Sequence, residues 1–419
     1  MSPTEQISSR EPASPERAKQ LAAALLSERG EASGAMIARE LHQTMQTLDA
    51  AGRHGFQNYL AAAFQPDPTT LRDAAKRYLA DSTAEAAAAL AQAADPPRQE
   101  VLRRMNMAPG GTAALIAMRS EITPHLKSDP DLKLLDADLK HLFASWFNRG
   151  FLELRRIDWQ SPAAVLEKLM AYEAVLEIKG WDDLRRRLAP DRRCFAFFHP
   201  ALPGEPLIFV EVALVDGLAT AVAPLLLQDT DEDNARARAA QADTAIFYSI
   251  SNCQDGLRGV SFGNFLIKQV VEELQTEFPQ LQRFSTLSPV PGFRRWLGQG
   301  TASGHDAAAM LRDIDSEDWW RDAAKSETLR PVLMKLCAQY LTRSPASGNR
   351  IDPVARFHLG NGARLERINW LGNTAGRAMQ ESFGIMVNYL YDHDTIERNH
   401  EAFAREGEIV RSPQVDALL

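Results

Sequence analysis

A serine in a rigid segment is the first residue of the chain whose setting suggests chemistry. Ser288 lies in the stretch TLSPVPGF, where an apolar run meets two prolines, Pro289 and Pro291. A proline fixes its own backbone angle and biases the residue before it, so the Ser288 hydroxyl is held on a stiff corner. There it could hydrogen-bond an acyl group carried by a ligand. A serine that only satisfies a turn is the alternative, and no GxSxG motif indicates a hydrolase nucleophile.

A histidine supplies the second candidate group. His358 lies in FHLGNGA, between an apolar run and the turn signal GNG. Imidazole gives or takes a proton near neutral pH, which makes His358 a candidate general acid or base. A core histidine bonded to a backbone carbonyl is the alternative for His358, and it is also the interpretation we give to His199, His393 and His400.

A glycine-rich loop between a strand and a helix is the third feature. Gly256, Gly259 and Gly263 precede a helix predicted to start at about Asn264. Bare backbone N–H groups then meet the positive end of a helix dipole, an arrangement that binds phosphate, and Arg258 can add a charge-assisted contact. The loop matches neither GxGxxG nor the P-loop, so neither a dinucleotide nor ATP is predicted. An ordinary tight strand–helix connection is the alternative.

Two segments that differ in their pattern of apolar residues must position these groups. Residues 23–190 have apolar side chains at helical spacing, with no strand-like segment before Cys194, and predict a helical bundle. Residues 191–419 alternate short β-rich segments with helices, which predicts a mixed α/β domain. Residues 1–22 are polar and rich in proline and serine, and we expect a disordered tail there.

Further expectations concern the second segment. A helical insertion is predicted near residues 298–348, and an amphipathic helix is predicted over Thr374–Asp392. Ser288 follows a strand that we expect to run parallel to the strand before the glycine loop. Because the carboxyl ends of parallel strands meet at one edge of a sheet, the corner and the loop are expected to face the same crevice.

Composition narrows the class of protein. The chain has 419 residues, of which 45% are hydrophobic and 24% charged, as is typical of a soluble globular protein of two or three domains. A net charge of −8 argues against nucleic-acid binding. No apolar run is long enough to cross a membrane, and the first residues lack a secretion signal. Three cysteines without a CxxC pair predict neither disulfides nor a zinc site, so a reducing, cytoplasmic location is expected.

Together these segments resemble the malonyl-CoA decarboxylase family. The resemblance is carried by FVEVAL, SISNCQDGLRGVSFGNFLIKQVVEELQTEFP, FSTLSPVPGFRRWL, FHLGNGARLERINWLGN and ESFGIMVNYLYD, which follow the family's order. It implies an α+β chain, with an all-helical N-terminal oligomerisation domain over 23–190 and an acetyltransferase-like (GNAT-type) catalytic domain over 191–419. The implied activity converts malonyl-CoA to acetyl-CoA and carbon dioxide with neither a metal nor an organic cofactor.

The resemblance also assigns roles to single residues. The family's catalytic serine falls on Ser288 and its catalytic histidine on His358, the candidate proton donor. Its partners would be malonyl-CoA and acetyl-CoA, with no nucleic acid and no membrane, and it would form a homo-oligomer, a dimer or a tetramer. An acyltransferase of the same fold and a non-catalytic acyl-CoA sensor remain open from the residues alone. The family's CoA-binding loop falls on Arg258, Gly259, Val260, Ser261, Phe262, Gly263 and Asn264.

Overall fold

The chain folds into two compact units. A computed structural model describes residues 14–227, 231–260, 266–299, 314, 318–343 and 351–419. The first unit comprises Met1–Leu152 together with two later segments, His199–Pro203 and Gln254–Phe262. The second unit comprises the rest: Glu153–Phe198, Gly204–Cys253 and Gly263–Leu419.

The first unit is built from helices, as the spacing of apolar residues predicts. Several begin at side chains that accept a hydrogen bond from the first turn: Asp67 accepts from the Thr70 amide, with Pro68 at the first helical position. The helices are α1 (Pro15–Leu25), α2 (Glu28–Thr47), α3 (Ala50–Ala63), α4 (Pro68–Ala80), α5 (Ala84–Ala94), α6 (Pro97–Met105), α7 (Gly111–Ile122) and α8 (Leu132–Trp146).

Two buried ion pairs join helices of this unit. Arg98 on α6 contacts Asp138 on α8 at 2.6 Å between Nη2 and Oδ2, and also donates to the Ala61 carbonyl. Arg119 on α7 contacts Asp136 on α8 at 2.8 Å between Nε and Oδ1. Both guanidinium groups are almost fully buried, so removing either partner would leave a buried charge uncompensated.

One pair of helices packs little of its surface. Helix α5, with the sequence AEAAAALAQAA, has no buried residue, and α4 buries only Ala74. Leu79 on α4 is 82% exposed. An alanine-rich helix without buried residues gains little from packing within its own unit, so the α4–α5 pair presents an apolar surface.

The second unit is a mixed sheet with helices. Its strands are β1 (Glu153–Ile157), β2 (Arg192–Phe198), β3 (Pro206–Val215), β4 (Thr244–Asn252), β5 (Arg283–Thr286), β6 (Ser288–Pro289), β7 (Arg364–Asn369) and β8 (Met386–Tyr391). Its helices are α9 (Ala163–Tyr172), α10 (Trp181–Arg187), α11 (Ala223–Leu226), α12 (Glu232–Gln241), α13 (Leu266–Glu277), α14 (Phe293–Gly298), α15 (Ala323–Leu341), α16 (Pro353–Gly360), α17 (Gly376–Ser382), α18 (Ile396–Glu406) and α19 (Pro413–Asp416).

The order of the strands determines where Ser288 lies. Strands β1 to β4 pair antiparallel in succession, and β4 then pairs with β5 in parallel, which confirms the expected parallel pair. Strands β5 and β6 both pair antiparallel with β8, and β7 also pairs with β8. An apolar cluster that includes Leu287, Met386, Ile246 and Ala213 packs β3 and β4 against the segment carrying Ser288.

The predicted disordered tail is wrong in its second half. Helix α1 begins at Pro15, capped by the Ser14 hydroxyl, which accepts from the Arg17 amide at 3.1 Å. Leu21 and Leu25 on this helix are buried. Apolar burial therefore outweighs the polar composition from residue 14 onward, and residues 1–13 lie outside the described part of the chain.

The predicted boundary between the helical and the mixed segment also differs from the structure. Strand β1 lies within residues 23–190, where no strand was expected, and the second unit starts at Glu153 rather than near residue 191. The sequence of β1, ELRRI, is mostly charged because it pairs only with β2 at the edge of the sheet. Charged residues suit an edge strand but obscure its apolar signal.

The amphipathic helix predicted over Thr374–Asp392 is a helix followed by a strand. Helix α17 ends at Ser382, after which Phe383 and Gly384 adopt the left-handed conformation with φ of 56° and 74°. Strand β8 follows from Met386 to Tyr391. Met379, Phe383 and Met386 have helical spacing by coincidence, and the glycine marks the true boundary.

The predicted helical insertion near 298–348 is only partly described. Helix α14 ends at Gly298 and α15 covers Ala323–Leu341, while residues 300–313, 315–317 and 344–350 lie outside the described chain. None of the helices that the structure describes has both the length and the apolar character needed to cross a membrane. Cys194, Cys253 and Cys337 are buried free thiols.

Candidate active site

Ser288 is held in a network of buried side chains at the end of β5. Its hydroxyl donates to Thr286 Oγ1 at 2.9 Å, and Thr286 Oγ1 also accepts the Tyr389 amide of β8 at 3.1 Å. Thr286 is fully buried and Ser288 is only 6% exposed. The hydroxyl therefore bonds to buried side chains rather than to the local backbone group that a turn serine satisfies.

His358 meets Ser288 from a segment 70 residues further along the chain. It lies in the last turn of α16, and its Nε2 is 3.0 Å from Ser288 Oγ. The helix ends in the predicted GNG turn, where Gly362 has a φ of 82°. The partners of the ring are side chains, so the backbone carbonyl expected as the partner of a core histidine is not the one observed for His358.

Tyr391 and Tyr389 complete the surroundings of the imidazole. The Tyr391 hydroxyl is 2.7 Å from His358 Nδ1, and the Tyr389 ring stacks on the imidazole with centroids 4.8 Å apart. Ser288 has one hydroxyl proton, which it donates to Thr286. A neutral His358 therefore donates from Nε2 to Ser288 and accepts from Tyr391 at Nδ1.

Burial sets the protonation state of His358. The ring is 3% exposed, and its hydrogen-bond partners within the described part of the chain include no carboxylate, so burial lowers its pKa to about 3. Burial likewise raises the pKa of Tyr391 well above its usual value. The expectation that the free His358 titrates near neutrality is wrong, because desolvation disfavours the imidazolium form.

The tyrosines and Thr286 were not among the predicted site residues. Tyr389 and Tyr391 were assigned to a helix, in which they could not both face His358. In β8 they lie two residues apart, so both side chains point to the same face of the sheet. The alternation of MVNYLY after Gly384 is the sequence signal that could have identified them.

A cavity of about 280 Å³ opens beside Tyr391. Lys268, in the first turn of α13, lines it, together with Asn361 from the turn that follows α16. The cavity therefore places one cation next to the residue that bonds His358, and Glu397 and Glu401 line the same space.

Part of the predicted CoA-binding loop is described, and it belongs to the first unit. Arg258 is exposed and contacts Asp255 at 2.8 Å, and Val260 is buried. Gly259 has a φ of 76°, and a Cβ added there would meet no described atom within 4 Å. This open space fits backbone that a ligand approaches closely. Ser261, Phe262, Gly263 and Asn264 lie outside the described residues.

The described part of the loop is anchored by Arg119. Its guanidinium donates to the carbonyls of Gly256 at 2.6 Å and Arg258 at 2.9 Å, while it holds Asp136. Gly256 lies so close to α7 that a Cβ there would be 2.0 Å from the Ile116 carbonyl oxygen. Helix α7 therefore shapes the backbone of this loop.

Three further histidines, His199, His393 and His400, were predicted to be core histidines bonded to backbone carbonyls. His199 Nε2 lies 3.1 Å from the Trp146 carbonyl oxygen, and His400 Nδ1 lies 2.7 Å from that of Gly360. Both therefore have backbone carbonyl partners, as expected of structural histidines. The His393 side chain is instead 81% exposed, so it is a surface residue rather than a core histidine.

The fold and the site define a protein with one unit of helices and one unit of a mixed sheet with helices, which carries a buried serine–histidine pair. The sequence profile described as "Malonyl-CoA decarboxylase C-terminal domain" matches residues 150–419, and that described as "Malonyl-CoA decarboxylase N-terminal domain" matches residues 64–147. The chain therefore belongs to the malonyl-CoA decarboxylase family.

Individual relatives agree with this assignment. "Malonyl-CoA decarboxylase, mitochondrial" of Anser anser anser is 36% identical over 350 residues, covering 76% of this chain and 69% of that protein. The crystal structure of malonyl-CoA decarboxylase from Rhodopseudomonas palustris is 48% identical with a TM-score of 0.89, covering 97% of this chain and 100% of that one. The structure from Agrobacterium vitis is 49% identical with a TM-score of 0.87, covering 96% and 99%.

Proposed function

We propose that this chain converts malonyl-CoA to acetyl-CoA and carbon dioxide at the Ser288–His358 pair. The observation that carries the proposal is the 3.0 Å contact between Ser288 Oγ and His358 Nε2, formed by two separate segments in a member of this family. Fold alone would not choose this activity, since the same architecture supports other chemistry on acyl-CoA.

The reaction breaks the bond between C2 and the carboxylate carbon of the malonyl group. The electron pair moves to C2 and the thioester oxygen, and carbon dioxide leaves. Ser288 orients the malonyl group, because its hydroxyl is fixed between Thr286 and His358. A displacement of about 1 Å between reacting groups can cost about 10²-fold in rate, so orientation at this site contributes to turnover.

His358 supplies the proton that converts the enolate into acetyl-CoA. In the free site the ring is neutral, since burial lowers its pKa to about 3. The malonyl carboxylate brings a negative charge, which favours the protonated ring and raises its proton affinity. The imidazolium then donates from Nε2 to C2 and returns to the neutral form, a role typically worth about 10²–10⁴ in rate. One proton is taken from solvent for each carbon dioxide released.

The substrate's CoA part binds at the glycine loop. Arg258 and Gly259 supply a cation and exposed backbone, and Val260, Ser261, Phe262, Gly263 and Asn264 continue the same loop in the sequence.

Carbon dioxide release from malonyl-CoA by the purified protein tests the proposal. Wild type should turn over in the presence of a metal chelator, while Ser288→Ala and His358→Gln should each lose at least about 10²-fold in kcat. The double variant should lose less than the product of the two single losses, because residues that act as a unit are non-additive.

The outcomes separate the alternatives. An acyltransferase would transfer the acyl group to an added amine without releasing carbon dioxide. A sensor would bind malonyl-CoA and leave it unchanged. Activity that a chelator abolishes and zinc restores would contradict a reaction that depends on side chains alone.

We also propose that the protein is a cytoplasmic homo-oligomer. The exposed apolar surface of α4 and α5 supports association through the first unit. The three free cysteines support a reducing compartment. The relatives from Anser anser anser and Mus musculus are named mitochondrial, so fractionation of the source cells tests the location.

A further inference from the structure

A buried carboxylate links the two segments that carry the catalytic pair. Asp352 is 1% exposed and lies immediately before α16, the helix of His358. Its Oδ1 accepts the amides of Val354 at 2.9 Å and Ala355 at 3.3 Å, which caps the helix. Its two oxygens therefore have separate tasks, and Oδ1 fixes the start of α16.

The second oxygen of Asp352 bonds outside its own helix. Oδ2 accepts the Gly292 amide at 3.0 Å and the Tyr340 hydroxyl of α15 at 3.1 Å. Gly292 closes the SPVPG corner, four residues after Ser288. A Cβ at Gly292 would be 2.1 Å from the Tyr340 oxygen, so the corner, α15 and Asp352 are in close contact.

These contacts bear on the geometry of the catalytic pair. The prolines make the corner stiff, and the cap makes the start of α16 stiff, but neither device fixes one segment relative to the other. Among the described residues, Asp352 is bonded to both. A displacement of about 1 Å between reacting groups can cost about 10²-fold in rate, so such a link matters for turnover.

We propose that Asp352 is a positioning residue that ties the Ser288 corner to the helix of His358 and thereby sets their 3.0 Å contact. The proposal rests on the decarboxylase function proposed above. Asp352 touches neither Ser288 nor His358 in the hydrogen bonds described, so its effect is exerted through the backbone of the corner and the helix.

Asp352→Asn separates the two tasks of the carboxylate. The amide oxygen can still cap α16, but the amide nitrogen cannot accept from the Gly292 N–H. Tyr340→Phe removes one of the two contacts to Oδ2 and leaves the cap intact. Asp67→Asn is the matched control, since Asp67 also caps a helix, α4, but belongs to the first unit.

The experiment measures kcat and KM for carbon dioxide release, the melting temperature, and the ring ¹⁵N resonances of His358, assigned by comparison with His358→Gln. Asp352→Asn should lower kcat by about 10- to 100-fold, with KM changed less than about threefold, and should shift the His358 resonances. Tyr340→Phe should lower kcat and shift the His358 resonances in the same direction, but by less. Asp67→Asn should change neither kcat nor these resonances.

Two results would overturn the proposal. The first is a folded Asp352→Asn protein with wild-type kcat and wild-type His358 resonances. The second is a loss of activity that only follows the loss of folded protein. If Asp352→Asn fails to fold, Tyr340→Phe decides by the same measures. If wild type releases no carbon dioxide, the proposed function fails, whereas the His358 resonances still decide whether Asp352 positions the ring.

Discussion

At the scale of single residues, His358 links the stability of the protein to pH. In the unfolded chain its pKa is that of an ordinary histidine, about 6.5, whereas burial lowers it to about 3 in the folded protein. Between these values the unfolded state binds the proton and the folded state does not. Protonation therefore favours unfolding as the pH falls through this range.

We predict that, as the pH is lowered, the free energy of unfolding decreases more steeply in wild type than in His358→Gln. From pH 6 to pH 4 the difference in slope should approach about 1.4 kcal/mol per pH unit, the value for one proton. Above pH 7 the two curves should run parallel, since the ring is then neutral in both states. Urea denaturation at a series of pH values measures this, and curves that stay parallel down to pH 4 would show that His358 is not held neutral.

At the scale of elements, one arginine connects helix α7 with the loop that we expect to bind CoA. Arg119 holds Asp136 and donates to the carbonyls of Gly256 and Arg258. A lysine keeps the charge but cannot reach three acceptors in a fixed plane. Arg119→Lys should therefore weaken CoA binding by at least about tenfold, or about 1.4 kcal/mol, as measured by calorimetry.

Arg98→Lys is the control for that prediction. Arg98 is as deeply buried, pairs with Asp138, and donates to a carbonyl of α3 rather than to the loop. Both variants should lose stability, because each weakens a buried pair. Only Arg119→Lys should lose CoA affinity. Equal CoA affinity in the two variants would show that the contacts of Arg119 with the loop do not support CoA binding.

The sequence predicts the elements of the site unequally well. Ser288 and His358 could be identified because prolines and a GNG turn mark their segments in the local sequence. Strand β8 could not, since Met379, Phe383 and Met386 repeat at helical spacing across a boundary set by the left-handed Phe383 and Gly384. The bond from Tyr340 to Asp352 spans 12 residues and that from Arg119 to Arg258 spans 139, which no local pattern reveals.

At the scale of the whole molecule, the surface of α4 and α5 predicts self-association. Leu79 is 82% exposed there, and α5 buries no residue within its own chain. We predict a dimer or tetramer by light scattering at micromolar concentration, and a smaller species for Leu79→Glu, because a charge in an apolar interface is costly to bury.

The control for this prediction lies in the second unit. Leu227 is 64% exposed there, and Leu227→Glu should leave the oligomer unchanged. A monomeric wild type would contradict the proposal. Equal dissociation by both substitutions would place the interface outside the helical unit.

The loop anchored by Arg119 also has a consequence for the order of events during synthesis. Gly256 follows Arg119 by 137 residues, so at about 5–20 residues per second the ribosome needs roughly 7–30 seconds to deliver the loop after it has made the arginine. During this interval the nascent helical segment has Asp136 available but not its two carbonyl acceptors. The first unit therefore cannot reach its final form co-translationally until much of the second has been made. A ribosome that pauses between Arg119 and Gly256 leaves the Arg119 guanidinium group exposed to other partners, chaperones among them.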